Sequence, residues 1–460
     1  MTDKRRYAVT ARSVALDTLV KVTGGQAYSN LQLNRALQAA ELSRADAGLA
    51  TELVYGTIQR LNTLDHVLQR FVTKGLHKLD PWVLQLLRMS AYQLIYLTRV
   101  PPHAAVHEAV ELAKQRGHRG ISGMVNGVLR SLQRSPDKLS LPAGLPPDER
   151  ISLVHSHPLW LTRRWIAAFG EETTEAMCRA NNEPPHASIR VNRQRKTREE
   201  VLALLAEEGY EAAPSPLAED GIVVSQGGNL ADTIGYRNGW WTVQDESSML
   251  VAEAAAPRSG MQVLDCCAAP GGKTTHLAER MGDAGVVRAN DLHPHKRQLI
   301  EAQAERLGLH SILAMTGDAA QLGEQLEAAS LDLILLDAPC TGLGVIRRKP
   351  EIKWHKSEAD IDSVAEVQAR LLEAAVPLLR PGGRLIYSTC TVDHTENAGQ
   401  VDRFLQAHPE FALDPGWPQP LLERLRSGGV LGETFDGRVQ LLPQHFGTDG
   451  FFIAALRKQA

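Results

Sequence analysis

Apolar residues recur at helical spacing almost without a break over residues 8–134. Val14, Leu16, Leu19 and Val20 mark one stripe, and Leu49, Leu53, Val54, Ile58 and Leu61 another. Pro81 stands where a first helical turn tolerates it, ahead of the apolar stretch 83–97, and Pro101-Pro102 ends that segment. This pattern predicts an all-α bundle. Residues 135–150 hold Pro136, Pro142, Pro146 and Pro147 with few large apolar residues, which predicts a linker. Residues 151–240 mix periods: a helix over 159–181, short alternating runs at 187–192 and 221–225, and a helix over 198–208 between them, hence a small α+β domain. From about residue 245 apolar runs at 263–265, 286–291, 312–315, 331–337 and 384–389 alternate with helix-spaced segments. Such βαβα order predicts a parallel, doubly wound sheet.

At 460 residues, two or three domains are expected, and 43% hydrophobic with 22% charged residues is ordinary for a soluble protein. The start, Met1 to Tyr7, is basic, but no signal-like apolar stretch follows it. The stretch 83–97 is interrupted by Gln85, Arg88 and Gln93, so it reads as a buried helix and not a membrane span. A cytoplasmic location and a monomeric state are the expectations. Net charge is −3, unevenly spread. Residues 1–140 carry 19 Lys and Arg against 10 Asp and Glu, and the remainder 31 against 43. A basic front on an acidic body suits a nucleic-acid-binding accessory domain.

Five cysteines (Cys178, Cys266, Cys267, Cys340, Cys390) form no disulfide framework and no C-x-x-C pair, and no Cys/His group has zinc spacing. His293 and His295 read as surface loop, so no metal is expected. The cysteines then stand for packing or for chemistry.

The run at 263–265 leads into Asp265-Cys-Cys-Ala-Ala-Pro-Gly-Gly-Lys-Thr-Thr, a small-residue turn opening a helix, where backbone amides can approach a ligand closely. A P-loop would need glycine where Cys267 stands, and G-x-G-x-x-G is absent. What remains is a methyltransferase turn for an adenosine and its amino-acid tail, formed by Cys267, Ala268, Ala269, Pro270, Gly271, Gly272 and Lys273. Asp291 ends the second strand, where a carboxylate accepts from ribose hydroxyls; Asp318 follows the third, in reach of an adenine amino group; Asp337 ends the fourth.

Two cysteines at adjacent strand ends point to the reaction: Cys340 after the fourth strand and Cys390 after the fifth. Cytosine C5 is too poor a nucleophile to accept a methyl group unaided. A thiolate adding at C6 makes C5 enamine-like, and a base must later remove the C5 proton so the thiolate can leave. Methyl transfer to oxygen or an exocyclic amine needs no covalent step.

Residues 337–354 (Asp-Ala-Pro-Cys-Thr-Gly-Leu-Gly-Val-Ile-Arg-Arg-Lys-Pro-Glu-Ile-Lys-Trp), the Ala-Pro-Gly-Gly-Lys-Thr turn and Ser388-Thr-Cys390 resemble the NOL1/NOP2/Sun class of RNA cytosine-C5 methyltransferases. The likeness extends to Asn181-Asn-Glu-Pro-Pro, Ile189-Arg-Val-Asn, Val243-Gln-Asp-Glu-Ser and Asp449-Gly-Phe-Phe-Ile-Ala. It implies three domains: a NusB-like helical RNA-binding domain over 1–140, a small α+β, RRM-like domain over 150–240, and a Rossmann-like α/β class I methyltransferase domain over 241–460. It further implies S-adenosylmethionine as cofactor and 16S rRNA as substrate. By resemblance Cys390 is the nucleophile and Cys340 assists proton removal or adduct release. Cys267 to Lys273, Asp291, Asp318 and Asp337 bind the cofactor, with Asp337 also against the target base and Lys273 toward the substrate. Thr341-Gly-Leu-Gly departs from the family's usual Ser-x-Thr-Gly after Pro-Cys. Arg347, Arg348, Lys349 and Lys353 are then expected on RNA phosphates, with Trp354 stacking or packing. Two other readings remain: a DNA cytosine-C5 methyltransferase, whose nucleophile belongs to a Pro-Cys element, and a non-catalytic RNA-binding assembly factor. The Thr-Cys390 element and the helical front argue against the first, the intact cofactor turn and both cysteines against the second.

Overall fold

The first helix opens on a capping box, in which Thr10 and Ser13 satisfy each other's backbone amides. The structure, a computed structural model, describes residues 9–25 and 28–459; the basic start, Met1 to Tyr7, lies outside the described residues. Seven helices fill the stretch predicted as an all-α bundle: α1 (Ala11–Thr23), α2 (Ser29–Ala40), α3 (Arg44–Gln59), α4 (Leu61–Gln69), α5 (Pro81–Tyr96), α6 (Pro102–Arg116) and α7 (Arg119–Arg134). Their apolar faces share one core, including Leu16, Leu19, Leu53, Ile58, Leu86 and Leu129. α5 begins on Pro81 and is buried along much of its length, with Gln85 and Gln93 inside and Arg88 paired to Asp65 at 2.5 Å. Among the described residues no helix is long and apolar enough to cross a membrane.

After a coil at 135–146 come α8 (Pro147–His155), α9 (Leu159–Phe169) and α10 (Glu171–Ala180). The single helix expected over 159–181 is therefore two, broken at Gly170, whose φ of +81° leaves the helical region. Residues 9–183 form one compact unit, and it includes Arg348–Lys356, a strap from much later in the chain.

The second unit spans 184–347 and 357–459. It starts with β1 (Ala187–Val191), α11 (Arg198–Glu207), β2 (Glu211–Pro214), β3 (Gly221–Gln226), α12 (Ile234–Arg237) and β4 (Trp241–Val243). These strands pair in the order β2-β3-β1-β4, antiparallel in every paired contact. The larger sheet follows: α13 (Glu246–Ala255), β5 (Gln262–Asp265), α14 (Gly272–Arg280), β6 (Val286–Asp291), α15 (Pro294–Leu307), β7 (Ile312–Thr316) and β8 (Leu331–Asp337). After the strap's α16 (Ile352–His355) come α17 (Glu358–Ala375), β9 (Leu379–Thr389), α18 (Ala398–Ala407), β10 (Phe411–Leu413), α19 (Gln419–Ser427), β11 (Arg438–Leu441) and β12 (Phe451–Lys458).

The order is β10-β12-β9-β8-β5-β6-β7, with β11 also on β12. β5 to β9 are parallel, as the alternation predicted. The sheet is nevertheless mixed, because β12 runs antiparallel to β9 and carries β10 and β11. Apolar layers cover both faces, and Leu333 to Leu336 of β8 are all buried, as a central parallel strand requires. Strand order reverses between β5 and β8. A crevice outside the carboxyl ends of such a pair is where open α/β sheets take ligands.

Candidate active site

The turn after β5 is built by backbone bonds and one special dihedral. Ala268 N donates to Asn290 O at 2.8 Å and Gly271 N to Ala268 O at 2.7 Å, which folds the chain tightly before α14. Gly271 caps that helix at φ +105°, a conformation side chains rarely adopt. Ala269 N donates to the Asp291 carboxylate at 3.2 Å, so the end of β6 is tied to the turn. Behind it Asp265 is fully buried, accepting from the Thr274 hydroxyl at 2.7 Å. Burial pushes its carboxyl up to about 7, against the Thr274 hydrogen bond, with Asp337 adding to the rise.

Arg190 of β1 also supports this turn. It is wholly buried and donates to Gly272 O at 2.7 Å, to the Thr275 hydroxyl at 3.0 Å and to Glu279 at 2.9 and 3.1 Å. The sequence reading gave it no role. Its signal was an arginine inside an apolar strand, between Ile189 and Val191.

Cys340 and Cys390 meet. Register pairs Asp337 with Ser388, so the chains leave β8 and β9 side by side, and the two sulfurs lie 3.2 Å apart. Hydrogen bonding to the Cys390 sulfur and burial hold the Cys340 thiol well above the ordinary range. Cys390 is lowered, first by its hydrogen bond with Cys340 and then by Lys273, against burial and Asp337. Lys273 donates to Asp337 at 2.7 Å; although burial opposes it, that carboxylate raises the ammonium above its usual value. Ser388 donates to the other Asp337 oxygen at 2.8 Å. Asp337, Lys273 and both cysteines are thus within one polar cluster beside the turn.

Asp291 is buried and also 3.3 Å from Lys296. Asp318 follows β7 but is exposed, and it caps the next turn through Ala320 N at 3.0 Å. His293 is exposed in the bend ahead of α15, as expected of a surface loop, whereas His295 is exposed within the first turn of that helix; among the described residues no group of three or more His, Cys, Asp or Glu side chains could hold a metal.

The basic residues after Cys340 need correction. Arg347 is buried, donating to Pro443 O at 2.8 Å and to Gly447 O, and Lys353 is fully buried on Gln59 O at 2.9 Å. Arg347 donates to backbone carbonyls, and Lys353 reaches the Asn182 side-chain oxygen at 3.5 Å as well, so both turn into the fold and not toward a phosphate. Trp354 packs rather than stacks, its indole N–H on Ile58 O at 2.7 Å. Arg348 and Lys349 remain half-buried.

The sheet order, the small-residue turn and the acids at successive strand ends define a Rossmann-like methyltransferase, which follows a helical domain in the chain. Comparison with known sequences agrees. The 16S rRNA methyltransferase RsmB/F family pattern matches residues 252–457, the NusB family 9–134, and the RsmF/B-like ferredoxin-like domain 157–231. The probable ribosomal RNA small subunit methyltransferase B of Bacillus subtilis is 48% identical over 97% of this chain and 98% of its own. Its namesake in Synechocystis is 37% identical over 98% and 100%. The crystal structure of PH0851 superposes with a TM-score of 0.81 at 27% identity, over 99% of this chain and 100% of that one. A methyltransferase homologue from Pyrococcus horikoshii gives 0.58 at 29%, over 68% and 99%. The chain belongs to the RsmB/F family of 16S rRNA methyltransferases.

Proposed function

We propose that this chain transfers a methyl group from S-adenosylmethionine to C5 of a cytosine in 16S rRNA, through a covalent bond between Cys390 and C6. The observation that carries the reading is the 3.2 Å contact between the Cys340 and Cys390 sulfurs at the ends of neighbouring strands.

The residues fit the cofactor. Gly271 and Gly272 leave the helix start open to a ligand, with nothing nearer than 3.4 Å to a Cβ built at either. Asp291 and Asp318 offer carboxylate oxygens for ribose hydroxyls and an adenine amino group, while Cys267 to Lys273 line the turn. When bound, the cofactor supplies an electrophilic methyl on a sulfonium sulfur.

The chain's own groups do the rest. Cys390, as thiolate, forms a bond to C6, and the C5–C6 electron pair makes C5 nucleophilic. Once C5 carries the methyl, a base removes its proton; those electrons restore the double bond and expel the Cys390 thiolate. Cys340, in contact with the Cys390 sulfur, assists this collapse. Asp337, fixed by Lys273 and Ser388, accepts from the cytosine amino group. The target base leaves its stack to reach the crevice. The NusB-like helical part, residues 1–140 in our division, binds RNA, and its excess of basic over acidic residues supports this.

Cys390→Ala should abolish methyl incorporation into 16S rRNA and any covalent adduct, whereas Cys340→Ala should accumulate adduct. Turnover retained by Cys390→Ala contradicts the mechanism; a parent protein that binds RNA without methylating it would favour an assembly factor.

A further inference from the structure

Glu396, just ahead of α18, takes no part in the chemistry above, yet its side chain is fully buried. Four donors converge on its carboxylate: the Thr341 N–H at 2.9 Å, the Thr341 hydroxyl, the Thr391 hydroxyl at 3.2 Å and the Gln368 amide at 3.2 Å. Thr341 follows Cys340, and Thr391 follows Cys390. One side chain therefore grips both cysteine loops at the residue after each thiol.

Neighbours extend the grip. Gln368 of α17 also donates to Pro339 O at 2.9 Å, the residue before Cys340. Asn397 accepts from the Thr389 hydroxyl at 2.6 Å and donates to Thr391 O at 3.1 Å, on either side of Cys390. The Tyr387 hydroxyl holds the Glu396 carbonyl at 2.6 Å. A buried carboxylate is costly and persists only when fully satisfied. Apolar packing would hold two loops together as stably. A hub of four hydrogen bonds does more, because it fixes their relative position.

We propose that Glu396 is a positioning residue that sets the separation of the Cys340 and Cys390 sulfurs and, through it, the release of covalently held RNA. The second half of this inference rests on the two-cysteine mechanism above; the first half does not.

The test uses the full chain with Glu396→Gln, which keeps the shape but replaces one acceptor oxygen with a donor. Phenylarsine oxide reports sulfur separation without any RNA: arsenic bonds to both sulfurs at once and water leaves with the thiol protons. Cys390→Ala sets its baseline. Glu396→Gln should capture the arsenical about tenfold more weakly and lose about 100-fold in kcat, with KM for RNA changed by less than about threefold, as for a displaced reacting group. It should also accumulate denaturant-stable RNA adduct. Thr391→Val removes a single donor; should the Gln variant not fold, it is expected to shift the same readouts in the same direction. Unchanged arsenical capture by a folded Glu396→Gln or Thr391→Val overturns the positioning role. A dead Cys390→Ala beside a fully active Glu396→Gln does so too, while a Cys390→Ala that still turns over overturns the mechanism instead.

Discussion

Asp265 stands at the end of β5 with its carboxyl out of water, facing Thr274, Lys273 and Asp337. In the unfolded chain it ionises near pH 4, whereas in the fold burial delays this to about 7. Between those values the native state holds a proton that the unfolded state has lost, so stability falls as pH rises through the window. Asp265→Asn should remove that fall. Unfolding free energies of parent and variant from denaturant titrations, followed from pH 4 to pH 8, should diverge in the variant's favour by on the order of a few kcal/mol. Parallel profiles would place the parent's pH dependence elsewhere. Residues of this kind were only partly legible. Asp337, Cys340 and Cys390 announce themselves by standing at or just past strand ends, whereas Asp265 reads only as the first residue of the turn motif. Glu396, in the turn ahead of α18, Gln368 and Arg190 are harder to read, because a polar residue shows no role until distant partners bury it. Glu396 meets Thr341 55 positions away, and Arg190 meets Glu279 89 positions away.

At the scale of elements, the loop after Cys340 is seated against the start of β12. Gly344 N donates to Cys390 O at 3.0 Å and Gly450 N to Gly344 O at 2.8 Å. A Cβ on Gly344 would come within 1.9 Å of Gly450 O and 2.8 Å of Cys390 O, which is backbone that cannot swing aside. Gly344→Ala is expected to cost about 1–3 kcal/mol of stability, typical of overpacking. It should also cut methyl transfer more than RNA binding; a variant as stable and active as the parent would refute that seating. Helical and parallel-strand spacing made α1, α3, α5 and β5 to β9 readable, together with the helical character of the whole front stretch. β10 to β12 were not read as strands, since a run as short as Phe451 to Leu456 carries no period that separates strand from buried helix. Their antiparallel direction comes from pairing, which spacing does not encode.

At the scale of the whole molecule, the chain returns to its first unit. The strap Arg348–Lys356 joins the helical core: Glu351 accepts from Ser29 N at 3.0 Å and Ser29 Oγ at 2.7 Å, and Lys353 reaches Gln59 O. Its run of basic residues looked like an RNA contact because sequence cannot say which cations a fold will swallow. Burial holds the Lys353 amine well below its ordinary range. The unfolded chain therefore binds a proton there that the folded chain does not, and stability gains with pH up to about 10.5, the usual lysine value. Lys353→Met should lose that gain, flattening the stability profile by up to about 1.4 kcal/mol per pH unit as pH approaches the usual lysine value from below. An unaltered slope would mean that Lys353 stays charged in the fold.

The central claim is that Cys390, and not Cys340, bonds to the RNA. It is tested most directly with 16S rRNA carrying 5-fluorocytidine, which has no C5 proton to surrender and so halts the reaction at the adduct. Digestion and mass spectrometry of the trapped complex should find the nucleotide on the Cys390 peptide, and only when S-adenosylmethionine is supplied. An adduct on the Cys340 peptide, or methylated RNA with no adduct at all, would contradict it.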